Sequence, residues 1–451
     1  MIAKEKNDPT VNACKLCSPL GASFVFKGIE NCIPLLHGSQ GCSTYIRRYM
    51  IGHFREPIDI ASTNFGEETA IFGGRENLTI ALDNIIKAYK PSVIGIATTC
   101  LSETIGDDVP MYLGSYVNDR KDLVIPKLVH VSTPSYKGTH QDGFYATINS
   151  LIETIAEGGE KTKTINFIMN LFSPADIRWF KELSECYNIE SIIMPDYSDT
   201  LDGEYWGEYK RMPEGGTKIE DIQKMGRSIG TIEFGNILSE KGGAGEILES
   251  KFGVKSYGIG FPVGITNTDY FFSLLESITD TKLPEKYRKE RGLLIDSYVD
   301  GHKYLFGKKA VLYGEDDLVL GLASFIRELG MIPVVIGTGR KTGLLEKVIN
   351  EVIPDYKSLN ISIIENIDFE DIGRIAQEKE ADILIGHSKG YKVARDLNIP
   401  LIRVGFPIHD RIGGQRVRVL GYQGTQELLD RIINAIIEKK QSDSPVGYMA
   451  M

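Results

Sequence analysis

The sequence predicts an α/β protein made of three Rossmann-like, doubly wound domains. Three observations carry this. The chain has 451 residues, more than one hydrophobic core serves. Short apolar runs alternate with amphipathic helical stretches along its length. The runs SVIGIA, INFIM, PVVIG and DILIG are apolar throughout rather than at every second position. Strands of that kind are buried on both faces, as in parallel sheets covered by helices.

In chain order, the first unit shows PSVIGIATTC (91–100), a strand running into a helix expected to start near Ser102. The second is TINFIMNLFSPADIRWFKELSECYNIESIIMPD (164–196), read as strand, helix, strand. The third combines KAVLYGEDDLVLGLASFIRELGMIPVVIGTG (309–339) with ADILIGHSKGYKVARDLNIPLIRVGFP (381–407). Between them, 284–309 reads as a long polar-faced helix, and TQELLDRIINAIIEKK (425–440) as an amphipathic closing helix. The expected domains are 1–160, 161–300 and 301–451.

Hydrophobic residues make up 42% and charged residues 25%, the balance of a water-soluble globular protein. The net charge of −10 argues against nucleic acid as a partner, since phosphate binding needs a basic face. No stretch reaches the roughly 18 apolar residues of a membrane helix. The opening MIAKEKNDPTVNACK has no apolar signal core, so a cytoplasmic location is expected.

A reduced compartment makes disulfides among the six cysteines unexpected. Four of them fall within residues 14–42, which raises the prior for metal or redox chemistry. Cys17 precedes Pro19, a residue suited to a first helical turn. Cys42 closes the Gly-rich HGSQGC, and Cys100 follows the strand SVIGIA. All three stand at turns leading into helices, where backbone N–H groups favour thiolates and anionic clusters. Structural zinc usually takes two local cysteine pairs, and compact ferredoxin motifs take three cysteines close together. Neither spacing is present. A cubane needs four ligands, so three isolated thiols imply that another chain supplies the rest. Cys32 and Cys186 are expected simply to pack. Cys14 is a further candidate through its C-x-x-C with Cys17.

The stretch CSPLGASFVFKGIENCIPLLHGSQGCSTYIRRYMIGHFREP (17–57) resembles the β-type chains of nitrogenase component 1. ETAIFGG (68–74), TTCLSETIGDD (98–108), TPSYKG (133–138), PEGGTKIEDI (213–222), ERGLLID (290–296) and GFPIHDR (405–411) extend the resemblance over essentially the whole chain. It implies three Rossmann-like domains and assigns Cys17, Cys42 and Cys100 to an iron–sulfur cluster shared with a partner chain, either a four-iron cubane or a P-cluster-like group. Ser135, in TPSY, matches a serine near that cluster. Within the family, GFPIHDRIGGQRVRVLGYQGT (405–425), HSKGYKVARDLNIP (387–400) and the closing SPVGYM look like the NifN-type branch. That branch pairs with a NifE-type chain in an α2β2 heterotetramer and forms the scaffold for iron–molybdenum cofactor assembly. It takes a precursor cluster from NifB, held mainly on the partner, and docks the nitrogenase iron protein. The catalytic β chain (NifK type, paired with a NifD-type chain) is the alternative, favoured by the retention of all three cysteines.

Arg47, Arg48, His53 and Arg55 gather basic groups on IRRYMIGHFREP, either a salt-bridged helix face or a surface for an anion. His37 and His53 are expected to be structural. GTGRKTG (337–343) departs from the phosphate-loop pattern and reads as a surface turn. Thr217 and Glu220 have capping-box spacing. No Ser–His–Asp or paired-carboxylate spacing argues for hydrolysis.

Overall fold

The computed structural model describes residues 13–208 and 210–447; the opening segment and the end of SPVGYM lie outside the described residues. Three parallel sheets form the frame. The first has the order β2-β1-β3-β4, from Cys32–His37 (β1), Ala61–Ser62 (β2), Val93–Thr98 (β3) and Lys127–Val131 (β4). The second has the order β6-β5-β7-β8, from Ile165–Ile168 (β5), Ser191–Met194 (β6), Gly230–Phe234 (β7) and Ser256–Ile259 (β8). The third has the order β11-β10-β9-β12-β13, from Lys309–Gly314 (β9), Ile332–Thr338 (β10), Ser362–Ile364 (β11), Ile383–Gly386 (β12) and Leu401–Arg403 (β13). The doubly wound α/β class is therefore observed. Strands β1, β3, β5 and β12 are buried at every residue, as their mostly apolar composition suits.

The helices that bear on the site are Ser18–Lys27 (α1), Gln40–Phe54 (α2), Cys100–Ile105 (α3), His140–Ile155 (α4), Pro174–Tyr187 (α5), Ala244–Phe252 (α6), Glu285–Leu305 (α7), Asp316–Glu328 (α8) and Gly421–Asp443 (α9). The α7 and α9 helices are the long polar-faced and closing helices read from the sequence, and they pack on each other. Helix α1 is buried along its whole length. Gly21 of α1 and Gly143 of α4 let the two backbones touch: a Cβ on Gly21 would stand 1.8 Å from the His140 carbonyl oxygen.

The sheets do not have isolated cores. One hydrophobic cluster runs through all three, from Phe24 through Phe180 to Leu322. The described chain begins on the third sheet rather than the first: Ala13 bridges Asp368, and the Cys14 N–H donates to the Ile367 carbonyl. Cys14 is packed in that sheet's second core cluster with Val311 and Tyr313, which removes it as a partner of Cys17.

Several local expectations need correction. Cys186 is exposed, not packed, because it lies beside Glu185 on the solvent side of α5. The GTGRKTG turn is not a simple surface loop. Arg340 is 6% exposed and pairs with Asp142 and Asp316, because the end of β10 faces the start of α4. Thr217 forms no capping box. Its hydroxyl donates to the Ile193 carbonyl and accepts the Asp196 N–H, joining the turn to β6. Helix α3 starts at Cys100 itself, capped by Thr99 and Ser102.

Candidate metal centre

In the first sheet, β1 and β3 are neighbours, with His37 beside Thr98. The chain leaves β1 towards β2 on one side and leaves β3 towards β4 on the other. That reversal opens a crevice beyond the strands' carboxyl ends, where open α/β sheets bind ligands. Cys42 enters from the β1 side, in the first turn of α2, and Cys100 enters from the β3 side, as the first residue of α3. Ser135 follows β4. Cys17 arrives separately, as the N-cap of α1, and bridges Thr139 just before α4.

These groups meet. The Ser135 N–H donates to Cys100 Sγ at 3.2 Å, and the Ser135 hydroxyl oxygen accepts the Ser18 N–H at 3.1 Å. Burial pushes the Cys17 thiol up; its hydrogen bond with Ser135 pulls it down, and the Cys100 and Cys42 thiols are close enough to raise it further. The Ser39 hydroxyl donates to Cys42 Sγ at 3.7 Å. Cys17 and Cys42 are half-buried and Cys100 is exposed. All six cysteines are free.

Among the described residues, no three His, Cys, Asp or Glu side chains converge tightly enough to hold a single metal ion. Iron–sulfur clusters are held by cysteine thiolates, so the chemistry of these three free thiols fits such a group. The buried cysteines do not join it. Burial pushes the Cys32 thiol up to about 12 inside β1, and Cys14 Sγ lies 3.6 Å from His387 Nε2.

The crevice opens on an apolar surface. Leu101 and Tyr136, next in sequence to Cys100 and Ser135, and Tyr45, three residues after Cys42, are exposed, as are Ile71 and Phe72 on a short helix packed against α3. An apolar patch of this kind marks an interaction site. The histidines are structural, as expected. His37 is buried with Nε2 3.0 Å from Asp107, and burial lowers its pKa despite that carboxylate. His53 Nδ1 accepts the Ile408 N–H at 2.8 Å, and burial pushes its pKa down to about 3, so it is a neutral clasp between the first and third sheets' segments. The arginines of α2 make no salt-bridged face. Among the described residues Arg47, Arg48 and Arg55 have no carboxylate partner; Arg47 donates to the Ile58 carbonyl and Arg55 to that of His409.

Sequence reading missed Ser39, whose placement inside HGSQGC was the available signal, and Lys389, for which no local signal exists. The Lys389 ammonium donates to the carbonyls of Ala13 at 2.9 Å and Lys15 at 3.3 Å, in the segment leading to Cys17.

Fold and site together define a class: an α/β chain of parallel Rossmann-like units that gathers free thiols at a switch-point crevice opening on an apolar face. The family model described as "Nitrogenase component 1 type Oxidoreductase" matches residues 17–437. The chain belongs to this iron–sulfur-binding family, and within it to the β-chain type. It is 39% identical over 437 residues to the nitrogenase molybdenum-iron protein beta chain of Clostridium pasteurianum, covering 96% of this chain and 95% of that one. It is 34% identical over 446 residues to the nitrogenase vanadium-iron protein beta chain of Trichormus variabilis, covering 96% of each. Among solved structures, a chain of "Nitrogenase Cp1 at pH 6.5" superposes with a TM-score of 0.96 at 36% identity, over 100% of this chain and 98% of that one. These relatives bear catalytic-chain names, and the NifN-type expectation finds no counterpart among them.

Proposed function

We propose that this chain is the β subunit of a catalytic nitrogenase component 1, in which Cys17, Cys42 and Cys100 hold one half of an iron–sulfur cluster at the interface with an α-type chain. The observation that carries this is the convergence of three free thiols and Ser135 on one crevice that opens onto exposed apolar side chains. The similarity to chains named as molybdenum-iron protein beta chains supports the catalytic branch. An α2β2 heterotetramer with a NifD-type chain would cover the apolar face and supply the remaining ligands. Held by Cys17, Cys42 and Cys100, the cluster would supply an electron relay between the nitrogenase iron protein and the cofactor on the α-type chain. The residues of this chain fix the thiols: Ser135 and Ser39 direct N–H and O–H groups at sulfur, and such contacts tune cluster potential.

A second reading keeps the NifN-type scaffold, paired with a NifE-type chain and supplied by NifB. Its support is the segments 387–400 and 405–425. One experiment separates the two. The complex is purified anaerobically with its partner chain and assayed with the iron protein for ATP-dependent acetylene reduction. Turnover supports the catalytic β chain. Iron-containing complex without turnover that passes a cofactor precursor to a catalytic component supports the scaffold.

A further inference from the structure

Lys389 stands in a short helical turn after β12, in the third sheet's segment, yet its contacts lie at the beginning of the described chain. The side chain is half-buried. Among the described residues it has no carboxylate partner; its ammonium donates to the Ala13 and Lys15 carbonyls. Removing a cation from water without a counter-anion is costly. The Lys15 carbonyl that it holds, at 3.3 Å, lies two residues before Cys17, so its charge stands near whatever Cys17 binds. Cys14, in the same segment, is sealed in the core, so the group whose charge would change near this ammonium is the one Cys17 would hold. Cluster potentials respond to net charge and hydrogen bonding nearby.

We propose that Lys389 is a positioning residue for the interface cluster: its ammonium ties down the 13–17 segment and places a positive charge near Cys17, which holds the cluster's reduction potential up. The inference rests on the proposed ligand role of Cys17. It ties the third sheet's segment to a cluster carried by the first.

The test compares parent, Lys389→Met and Lys389→Arg complexes, each purified anaerobically with the partner chain. Iron is counted, and the cluster's midpoint potential is read by EPR-monitored redox titration. Lys389→Met is expected to keep its iron and shift the midpoint to more negative potential, while Lys389→Arg stays near the parent. A Lys389→Met midpoint equal to the parent's, or equal shifts in both variants, overturns the proposal. Cys17→Ala with the parent iron count sinks the ligand reading instead, so the two failures are distinguishable.

Discussion

Replacing Gly21 by alanine tests how the helix contact behind Cys17 controls the site. An added Cβ would sit 1.8 Å from the His140 carbonyl oxygen and 2.6 Å from the Phe144 nitrogen. Both obstacles are backbone atoms of α4, so no rotamer change relieves them. Reaching ordinary contact at 3.4 Å requires α1 and α4 to part by about 1.6 Å. Overpacking of this kind typically costs 1–3 kcal/mol, and rigid backbone on both sides puts Gly21→Ala at about 3 kcal/mol. Cys17 caps α1 and Ser18 is bound to Ser135, so the displacement passes directly to the thiol. Metal–ligand distances tolerate only about 0.2 Å, so bound iron falls as well. Urea denaturation and iron analysis of the complex read both effects. Gly114→Ala is the control: Gly114 lies in the helix Val109–Asn118 with nothing within 4 Å of an added Cβ. It should stabilise by about 0.5–1 kcal/mol. A Gly21→Ala complex with parental midpoint and iron refutes the reasoning.

Cys42→Ala should lower the iron count and the EPR signal while the circular dichroism spectrum stays parental, because the thiol lies at the edge of the core; an unchanged count refutes the ligand assignment. Cys14→Ala should destabilise by about 1 kcal/mol through its small cavity yet leave iron unchanged. Cys186→Ser, at an exposed position, should change the unfolding free energy read from urea denaturation by less than about 0.5 kcal/mol. Burial pushes Glu233, which holds the Ala244 and Gly245 N–H groups at the start of α6, up to about 7, and Asp317 at the start of α8 to about 7. Carboxyls raised on folding stabilise at low pH, and that contribution fades as pH climbs towards 7. Glu233→Gln should therefore flatten the fall in stability between about pH 4.5 and 7, by on the order of 3 kcal/mol at most. An equally steep fall in the variant rules out Glu233 as its source.

Much of the frame was legible locally. Runs such as SVIGIA and DILIG carry their own burial signature; a Gly-rich turn marked Cys42, and the end of a buried strand marked Cys100. The strand CIPLLH was harder to see, because it is short and interrupted by Pro34. The misread segments share a cause. GTGRKTG and EGGTKIEDI have the composition of exposed turns, but Arg340 and Thr217 find their partners on other units. Cys186 shows the reverse: a helix looks apolar overall, while its rotation decides which residues face water.

The sequence by itself determined the alternation of buried strands and helices, and it isolated three thiols at the ends of such elements. Those properties depend on neighbours a few residues away. Only the tertiary structure showed Cys14 sealed in the third sheet's core, away from the other three. It alone placed Ser135 between two of them, and brought Lys389 to Ala13 across 376 positions. Periodicity encodes which face of an element is buried; it holds no record of which distant element buries it.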